Sequence, residues 1–319
     1  MKLALAGDTM LGRGVAEVIA RRPPAALVSP ELVEILQEAD LFVLNLECCV
    51  SARGERWPDP RKPFFFRAPP AAVELLVHLG VDCVTLANNH ALDYGADALL
   101  DTLEHLADAG VRAVGAGADI DAARLPAVVE AAGLRIAIVG LSDHPAEYAA
   151  TRSRPGIAFD PLAWGRSPPW LSRAIEAAAA DVVVVSPHWG PNMVAEPVPR
   201  VRSAAAALRA AGATLVAGHS AHVFHGVADD VLFDLGDFLD DYAVDPVLRN
   251  DLGLLFVVTL DARGPERIEA IPLRLEYAHT RPARGEEADW IRRRFSAACA
   301  ALGTESRVED GRAIVELRR

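Results

Sequence analysis

The stretch Leu3-Ala-Leu-Ala-Gly-Asp8 joins a short apolar run to an acidic residue that follows it directly. Apolar runs bounded by Gly, Asp, Asn or Pro recur at residues 3–6, 41–46, 83–86, 136–139, 182–186 and 215–217. Continuous apolar runs are typical of strands that are covered on both faces. The opening stretch therefore predicts a buried strand with a polar residue at its carboxyl end.

Helical patterns separate these runs, at residues 31–38, 71–79, 96–109, 171–180 and 201–210. Two strand-like runs flank Gly133, which predicts a hairpin within 125–139. The last third predicts strands at 231–233, 254–260 and 268–272, a helix at 286–301 and a strand at 313–317. This alternation predicts an α/β protein with a layered, mixed sheet. We expect one domain over residues 1–319, which residues 250–319 complete, with a functional loop at 51–63 and a candidate lid at 143–169.

The composition excludes several classes of protein. Of the 319 residues 51% are hydrophobic and 24% are charged, which rules out intrinsic disorder. The formal net charge of −12 argues against a nucleic-acid or anionic-membrane partner, but not against a small anionic or peptide substrate beside a metal. No signal peptide and no transmembrane segment is apparent, so we expect a cytoplasmic protein. The sequence does not indicate the oligomeric state.

Side chains that bind metals follow one predicted strand after another. They are Asp8, Glu47, Asn88, Asn89, His90, His188, His219 and His222. Singly, each has a structural interpretation: Asp8 as a helix N-cap, or a lone histidine as a hydrogen-bonded core residue. Because the carboxyl ends of strands in an open α/β sheet form one crevice, their shared position favours a common site. Mixed oxygen and imidazole ligands suit Mn, Fe, Co, Ni or Zn.

Seven motifs in the same order resemble the CapA family of poly-γ-glutamate capsule synthesis proteins, which is related to the calcineurin-like metallophosphatases. The motifs are Gly7-Asp-Thr-Met-Leu-Gly, Asn45-Leu-Glu, Ala87-Asn-Asn-His-Ala-Leu-Asp-Tyr-Gly, Gly115-Ala-Gly, His188-Trp-Gly, Gly218-His-Ser-Ala-His and Leu235-Gly-Asp-Phe. The resemblance spans residues 2–242. It implies a four-layer α/β-β/α sandwich of metallophosphatase type, with one or two divalent ions at the carboxyl ends of the strands.

The resemblance also implies a role for each residue. Asp8 and His222 would bind the first metal, Glu47 would bridge both, and Asn89, His188 and His219 would bind the second. His90, oriented by Asp93, would stay off the metals and act on the substrate. The chain departs from the metallophosphatase pattern in having Met10 where a histidine is usual and Glu47 where the bridging residue is usually Asp. In addition, Asp237 stands where relatives usually have Asn.

Three functions follow from this site. The first is a metal-dependent hydrolase of a phosphoester or of a γ-glutamyl or peptide amide, in polyglutamate or capsule metabolism, using a metal-activated water. The second is a metal-dependent peptide epimerase that transfers an α-proton. The third is a non-catalytic component of a polymer-synthesis complex. Candidates for substrate contact are Arg67, Trp189, Asn88 and His225, although Arg67 is equally an ion-pair candidate and Trp189 a packing candidate.

Overall fold

A computed structural model describes residues 1–163 and 165–317. Its strands are β1 Lys2–Thr9, β2 Leu41–Leu46, β3 Cys49–Val50, β4 Arg67–Ala68, β5 Cys83–Thr85, β6 Arg112–Val114, β7 Ala116–Gly117, β8 Ala127–Ala131, β9 Leu134–Ser142, β10 Gly156–Ile157, β11 Val182–His188, β12 Leu215–Ala217, β13 Val227–Ala228, β14 Val231–Leu232, β15 Asp237–Leu239, β16 Leu252–Asp261, β17 Gly264–Glu276, β18 His279–Pro282, β19 Arg307–Glu309 and β20 Arg312–Glu316. Its α-helices are α1 Arg13–Ile19, α2 Pro30–Gln37, α3 Val73–Leu79, α4 Gly95–Asp108, α5 Ile120–Ala123, α6 Pro169–Ala178, α7 Pro199–Ala210 and α8 Gly285–Ala301. Among these described helices, none has the length and apolar character needed to span a bilayer.

Two large sheets form the centre of the molecule. The first runs in the order β19-β20-β17-β16-β1-β2-β5-β6, with β15 added beside β1 and β18 beside β17. In it β1, β2, β5 and β6 are parallel, and β16 is antiparallel to β1. The second sheet runs β13-β14-β12-β11-β9-β8, with β9, β11, β12 and β14 parallel. The C-terminal strands therefore extend the first sheet rather than forming a separate one.

Alternation along the strands produces the layers. On β1, Leu3 and Leu5 lie in one core together with Ile138 and Val184 of the second sheet, so the two sheets pack face to face. The intervening β1 residues lie in another core with residues of α2, α3 and α4, and the outer face of the second sheet packs on α6 and α7. Because side chains alternate across a strand, each sheet buries both faces. The predicted four-layer α/β-β/α sandwich is confirmed.

The predicted elements appear with ends shifted by a few residues. The hairpin around Gly133 forms from β8 and β9, and the predicted C-terminal helix is α8. Helix α1 was not predicted, because it has seven residues and buries only Gly14 and Val15, too few for a helical period. Segment 51–66, between β3 and β4, holds no helix or strand, in agreement with the predicted loop.

Candidate metal centre

The side chains that follow the strands of both sheets converge at one end of the sandwich. Ligand atoms of Asp8, His188 and His219 lie within 4.8 Å of one another, and so do those of Asp8, Glu47 and His222. All five residues are buried. Asp8 belongs to both groups, so the two groups share one carboxylate. This buried cluster of carboxylates and imidazoles is compatible with a divalent metal site.

Four of the predicted ligands have a buried atom without a hydrogen-bond partner among the described residues: Asp8 Oδ2, Glu47 Oε1, Asn89 Oδ1 and His188 Nε2. An unpaired buried polar atom is costly and is therefore rare in folded proteins. Four such atoms in one cluster, with oxygen and imidazole chemistry, fit a divalent cation that would pair them. The residues present are therefore suited to the metal that the fold implies.

Asp8 is held between two neighbouring strands at the end of β1. Asn45 on β2 pairs with it in register and donates its amide to Asp8 Oδ1 at 2.7 Å. On the other side, Asp237 of β15 is in register with Asp8. A Cβ at Gly7 would overlap the carbonyl oxygen of Gly236, so this close approach of β1 to the β15 segment requires glycine. Asp8 Oδ2 has no hydrogen-bond partner among the described residues.

The second sheet contributes His188 at the end of β11 and His219 just after β12. Their Nδ1 atoms lie 2.8 Å apart. His219 Nε2 lies 3.1 Å from the hydroxyl of Ser186, and His188 Nε2 lies 3.9 Å from Glu47 Oε1. A histidine whose second nitrogen is hydrogen-bonded is oriented for metal binding through the first. Ser186 is thus a positioning residue for His219.

The loop that carries His219 and His222 has strained backbone. Ser220 has φ 122° and His222 has φ 60°, conformations that L residues other than glycine seldom adopt. The buried carboxylate of Asp234 holds this loop by accepting from the backbone N–H of Ala221 at 2.8 Å. His222 Nδ1 lies 2.8 Å from Asp237 Oδ1 and 3.3 Å from Asp8 Oδ2. The strain is therefore maintained by buried hydrogen bonds at the site itself.

Burial dominates the electrostatics of the cluster. Burial raises the pKa of Asp8 to about 7. Within this shift the charge of His222 acts to lower the pKa and that of Asp237 acts to raise it, each with a smaller effect than burial. Burial and then the charge of Asp8 hold the pKa of Glu47 well above its usual range. Burial also lowers the pKa of His219 to about 3. Without a cation, burial disfavours the anionic forms of Asp8 and Glu47 and the cationic form of His219. At His222, burial lowers the pKa, but the carboxylates of Asp237, Glu47 and Asp8 together raise it well above its usual range.

His90 and Asp93 form a dyad beside the cluster. His90 Nδ1 lies 2.6 Å from Asp93 Oδ2, and His90 Nε2 lies 4.0 Å from Glu47 Oε1. The His90 ring stacks on Phe66, with centroids 4.0 Å apart. Burial lowers the pKa of His90 to about 4, against the opposing effect of Asp93. The dyad thus fixes Nδ1 and directs Nε2 towards the predicted metal ligands.

Met10 contributes no imidazole, and its thioether belongs to the core. The residue is fully buried among the apolar side chains on the outer face of the first sheet. Its sulfur accepts a hydrogen bond from the backbone N–H of Gly12 at 3.0 Å. Glu47, the other departure, is also fully buried, and its Oε2 accepts from the Tyr242 hydroxyl at 3.4 Å. The longer glutamate therefore has its own support from Tyr242.

The four residues predicted to contact substrate each form hydrogen bonds within the protein, and their contact with a substrate stays a prediction. Asn88 is fully buried and donates to Asn45 Oδ1 and the Leu46 carbonyl. Trp189 is buried and donates to the Phe233 carbonyl. Arg67 donates to the carbonyls of Arg53 and Gly54, and buried His225 bonds the Val194 carbonyl through Nε2. These bonds use Nη1 of Arg67 and Nε2 of His225, and Nδ1 of His225 has no hydrogen-bond partner among the described residues.

Several residues that the sequence analysis did not identify lie at the site. His144, just after β9, has its ring centroid 5.1 Å from that of His188, and its Nδ1 lies 2.5 Å from Asp143 Oδ1. Tyr242 contacts Glu47, and Lys62 lies 3.0 Å from Asp93 Oδ1. The signal for His144 was present, since it follows a predicted strand as the other site residues do. Lys62 and Tyr242 carry no such signal.

The chain is similar to several known bacterial proteins. A family model described as Bacterial capsule synthesis protein PGA_cap matches residues 2–242. A Mycobacterium tuberculosis protein named "Probable polyglutamine synthesis accessory protein" is 32% identical, over 90% of this chain and 88% of that protein. The "PGA biosynthesis protein CapA" of Bacillus subtilis is 28% identical, over 89% of this chain and 74% of that protein. Both relatives are matched over most of their length.

Among solved structures, the chain is similar to one described as a novel phosphatase from Mycoplasma pneumoniae. The TM-score is 0.53 at 15% identity, with 86% of this chain and 93% of that chain covered. At this identity the likeness supports the fold alone, and it agrees with the metallophosphatase type that the motifs predicted. The family model covers residues 2–242, and the relative from Mycobacterium tuberculosis is 32% identical over 90% of this chain. These two matches establish the family: this chain is a member of the bacterial capsule synthesis protein family PGA_cap.

Proposed function

We propose that this protein is a metal-dependent hydrolase that acts on a phosphoester or on a γ-glutamyl or peptide amide in polyglutamate or capsule synthesis. The names of its relatives support that context. The observation that carries the chemistry is the set of buried, unpartnered ligand atoms on Asp8, Glu47, Asn89 and His188. A set that binds no cation would leave four polar atoms buried without compensation.

Asp8, Glu47 and His222 would hold one ion, and Asp8, His188, His219 and Asn89 another. The shared carboxylate in this assignment is Asp8, whereas the family resemblance implies that Glu47 bridges the two ions. When bound, divalent ions of the Mn, Fe, Co, Ni or Zn type neutralise charge on an attacked group and acidify a coordinated water. The chain's own residues do the rest. Ser186 orients His219, Asn45 orients Asp8, and Tyr242 holds one oxygen of Glu47. Together they keep the ligand atoms in place before any substrate arrives.

His90 is the proposed proton-transfer residue. Asp93 binds its Nδ1 and so fixes the ring, which leaves Nε2, 4.0 Å from Glu47 Oε1, to hold or deliver a proton at the reacting group. Asp93 is itself held by the backbone N–H of Phe66 at 2.6 Å and by the hydroxyl of Tyr148 at 3.2 Å. These bonds fix the dyad from outside the metal centre.

The test combines metal content with turnover. Protein purified without chelator is analysed for transition metals beside His219→Ala, and both are assayed with bis(p-nitrophenyl) phosphate and with a γ-glutamyl peptide. We expect about two metals per wild-type chain, fewer in the variant, and metal-dependent hydrolysis of one substrate. Absence of metal after addition of Mn and Zn would overturn the proposal. Deuterium uptake at an α-carbon without cleavage would instead favour the epimerase.

A further inference from the structure

A cavity of about 280 Å³ opens beside the metal centre, between segment 51–66 and the segment after β9. Its lining includes Trp57, Arg61, Lys62, Asn89 and Tyr148. Asn89 lines the cavity and is also a predicted metal ligand. Its Oδ1 is one of the buried atoms that have no hydrogen-bond partner among the described residues. The cavity therefore adjoins the site of the proposed chemistry through a single residue.

Lys62 supplies a cation at the base of this cavity. Only 14% of its side chain is exposed, and its ammonium donates to the Asn89 carbonyl at 2.7 Å and lies 3.0 Å from Asp93 Oδ1. An ammonium group has three N–H donors, and these two acceptors use two of them. Because an ammonium group with so little exposure is poorly hydrated, the third donor favours an anionic oxygen in the cavity.

Aromatic rings form the wall next to this cation. The rings of Trp57 and Tyr148 meet edge to face, with centroids 4.8 Å apart. Lys62 Nζ lies 5.6 Å from the Tyr148 centroid, and Tyr148 donates its hydroxyl to Asp93. The backbone N–H of Trp57 donates to the Asp93 carbonyl at 2.8 Å. Trp57, Tyr148 and Lys62 are thus all bonded to Asp93 of the dyad. The cavity therefore has a defined shape without a ligand.

The rim carries charges of both signs. The Arg61 side chain is 84% exposed and pairs with Asp59 at 3.2 Å, and Glu147 is also at the rim. An exposed ion pair of this kind contributes little, so the Arg61 guanidinium is available to an incoming anion. Lys62, in contrast to Arg61, is held in place at the base of the cavity by its bonds to Asp93 and the Asn89 carbonyl. The cavity therefore favours a ligand whose anionic group reaches the base.

We propose that this cavity is the substrate subsite next to the metal centre and that it binds an anionic group, carboxylate or phosphate, on a short stem packed against Trp57 and Tyr148. The inference rests on the proposed hydrolase, since it names the substrate class of the same site. Lys62 binds the anion, the aromatic wall covers the stem, and Asn89 marks the passage to the reacting group. A side-chain carboxylate of a glutamyl residue and the phosphate of a phosphoester share this chemistry.

Calorimetric titration of the Mn-loaded protein with γ-glutamyl-glutamyl-glutamate and with phenyl phosphate tests the subsite. We expect Lys62→Met to weaken binding about tenfold or more, and Trp57→Leu about threefold or more, with unchanged metal content. Arg152→Ala removes one exposed positive charge outside the cavity lining, so it is the matched control and should bind as wild type. Trp57→Leu retains the backbone bond to Asp93, so it remains informative if Lys62→Met disturbs the dyad.

The two ligands separate the sources of the anion. Tight binding of the peptide alone assigns a carboxylate, and tight binding of phenyl phosphate alone assigns a phosphate; both support the subsite. Affinities within twofold of wild type in both cavity variants, or no binding of either ligand to wild type, would overturn it. Metal content is measured separately, so a protein that binds an anion but no metal would contradict the hydrolase and leave the anion subsite standing.

Discussion

His188 Nδ1, at the end of β11, and His219 Nδ1, just after the parallel strand β12, lie 2.8 Å apart. Two neutral imidazoles are compatible at this distance when one ring donates its Nδ1–H to the Nδ1 of the other. Burial and the neighbouring histidines keep the pKa of His188 well below its usual range. Neutral imidazole is the form of histidine that binds metals, and this bond leaves Nε2 of His188 without a hydrogen-bond partner among the described residues.

Ser186→Ala should weaken metal binding. The Ser186 hydroxyl lies 3.1 Å from His219 Nε2 and so fixes the ring that presents Nδ1 to the metal. Removal of such an outer partner typically costs about 10- to 100-fold in metal affinity. Competition with a fluorescent chelator measures the change, and Ser153→Ala, at an exposed serine, is the control. Equal affinities in the two variants would contradict the positioning role of Ser186.

Glu47→Gln should stabilise the metal-free protein and abolish its response to metal. In the metal-free state burial and the charge of Asp8 oppose ionisation of Glu47, so at neutral pH folding has to protonate a carboxyl that is ionised in the unfolded chain. A neutral Gln avoids this cost, which is about 1 kcal/mol or more. Added Mn²⁺ at 100 times its Kd should stabilise the wild type by about 2.7 kcal/mol, and the variant far less.

Thermal unfolding with EDTA measures the stability of the metal-free proteins, and unfolding with Mn²⁺ measures how much the metal stabilises each of them. Glu17→Gln, at an exposed glutamate, is the control and should respond to metal as the wild type does. A metal-free Glu47→Gln protein that melts below the wild type would show that the carboxylate stabilises the fold without a cation. That result would refute the electrostatic account of the site.

His90→Gln should retain metal and lose activity. Because Nε2 of His90 is the proposed proton-transfer atom, we expect a fall in kcat of about 100-fold or more, with unchanged metal content. Normal turnover by His90→Gln would remove this residue from the mechanism.

Asp93→Asn should reduce activity in the same way and also destabilise the protein by about 3 kcal/mol, since it leaves Lys62 without its buried counter-ion. Urea unfolding measures this second effect. A variant as stable as wild type would show that the Lys62–Asp93 pair does not support the fold.

The four cysteines should not react in the native protein at pH 8. All four are buried. Burial raises the pKa of Cys49 and Cys83 to about 12 and that of Cys299 to about 11, and it holds the pKa of Cys48 well above its usual range. Since the thiolate is the reactive form, iodoacetamide should label none in native protein and four after denaturation. Native labelling of any cysteine at pH 8 would contradict this burial.

Much of the fold was predictable because it depends on local patterns. The apolar run before Asp8 and the one before His188 both became central strands, β1 and β11, since continuous apolar residues have to be covered on both faces. Helix α1 and the two-residue strands were missed, because segments so short leave no period to detect. The hydrophobic period of a segment indicates which of its faces is buried. It can be detected only where the segment is long enough for the pattern to repeat.

The sequence by itself determined the order of strands and helices, the polar residues at the strand ends and, through its motifs, the family. Only the tertiary structure decided which atoms meet. It placed Asp237 beside Asp8 and Tyr242 on Glu47, and it turned Asn88 and Trp189 inward as supports. These contacts join residues as far as 229 positions apart, as for Asp8 and Asp237. The physical reason is that sheet register and packing between layers are set by the whole core at once, whereas a sequence pattern reports only the neighbours along the chain.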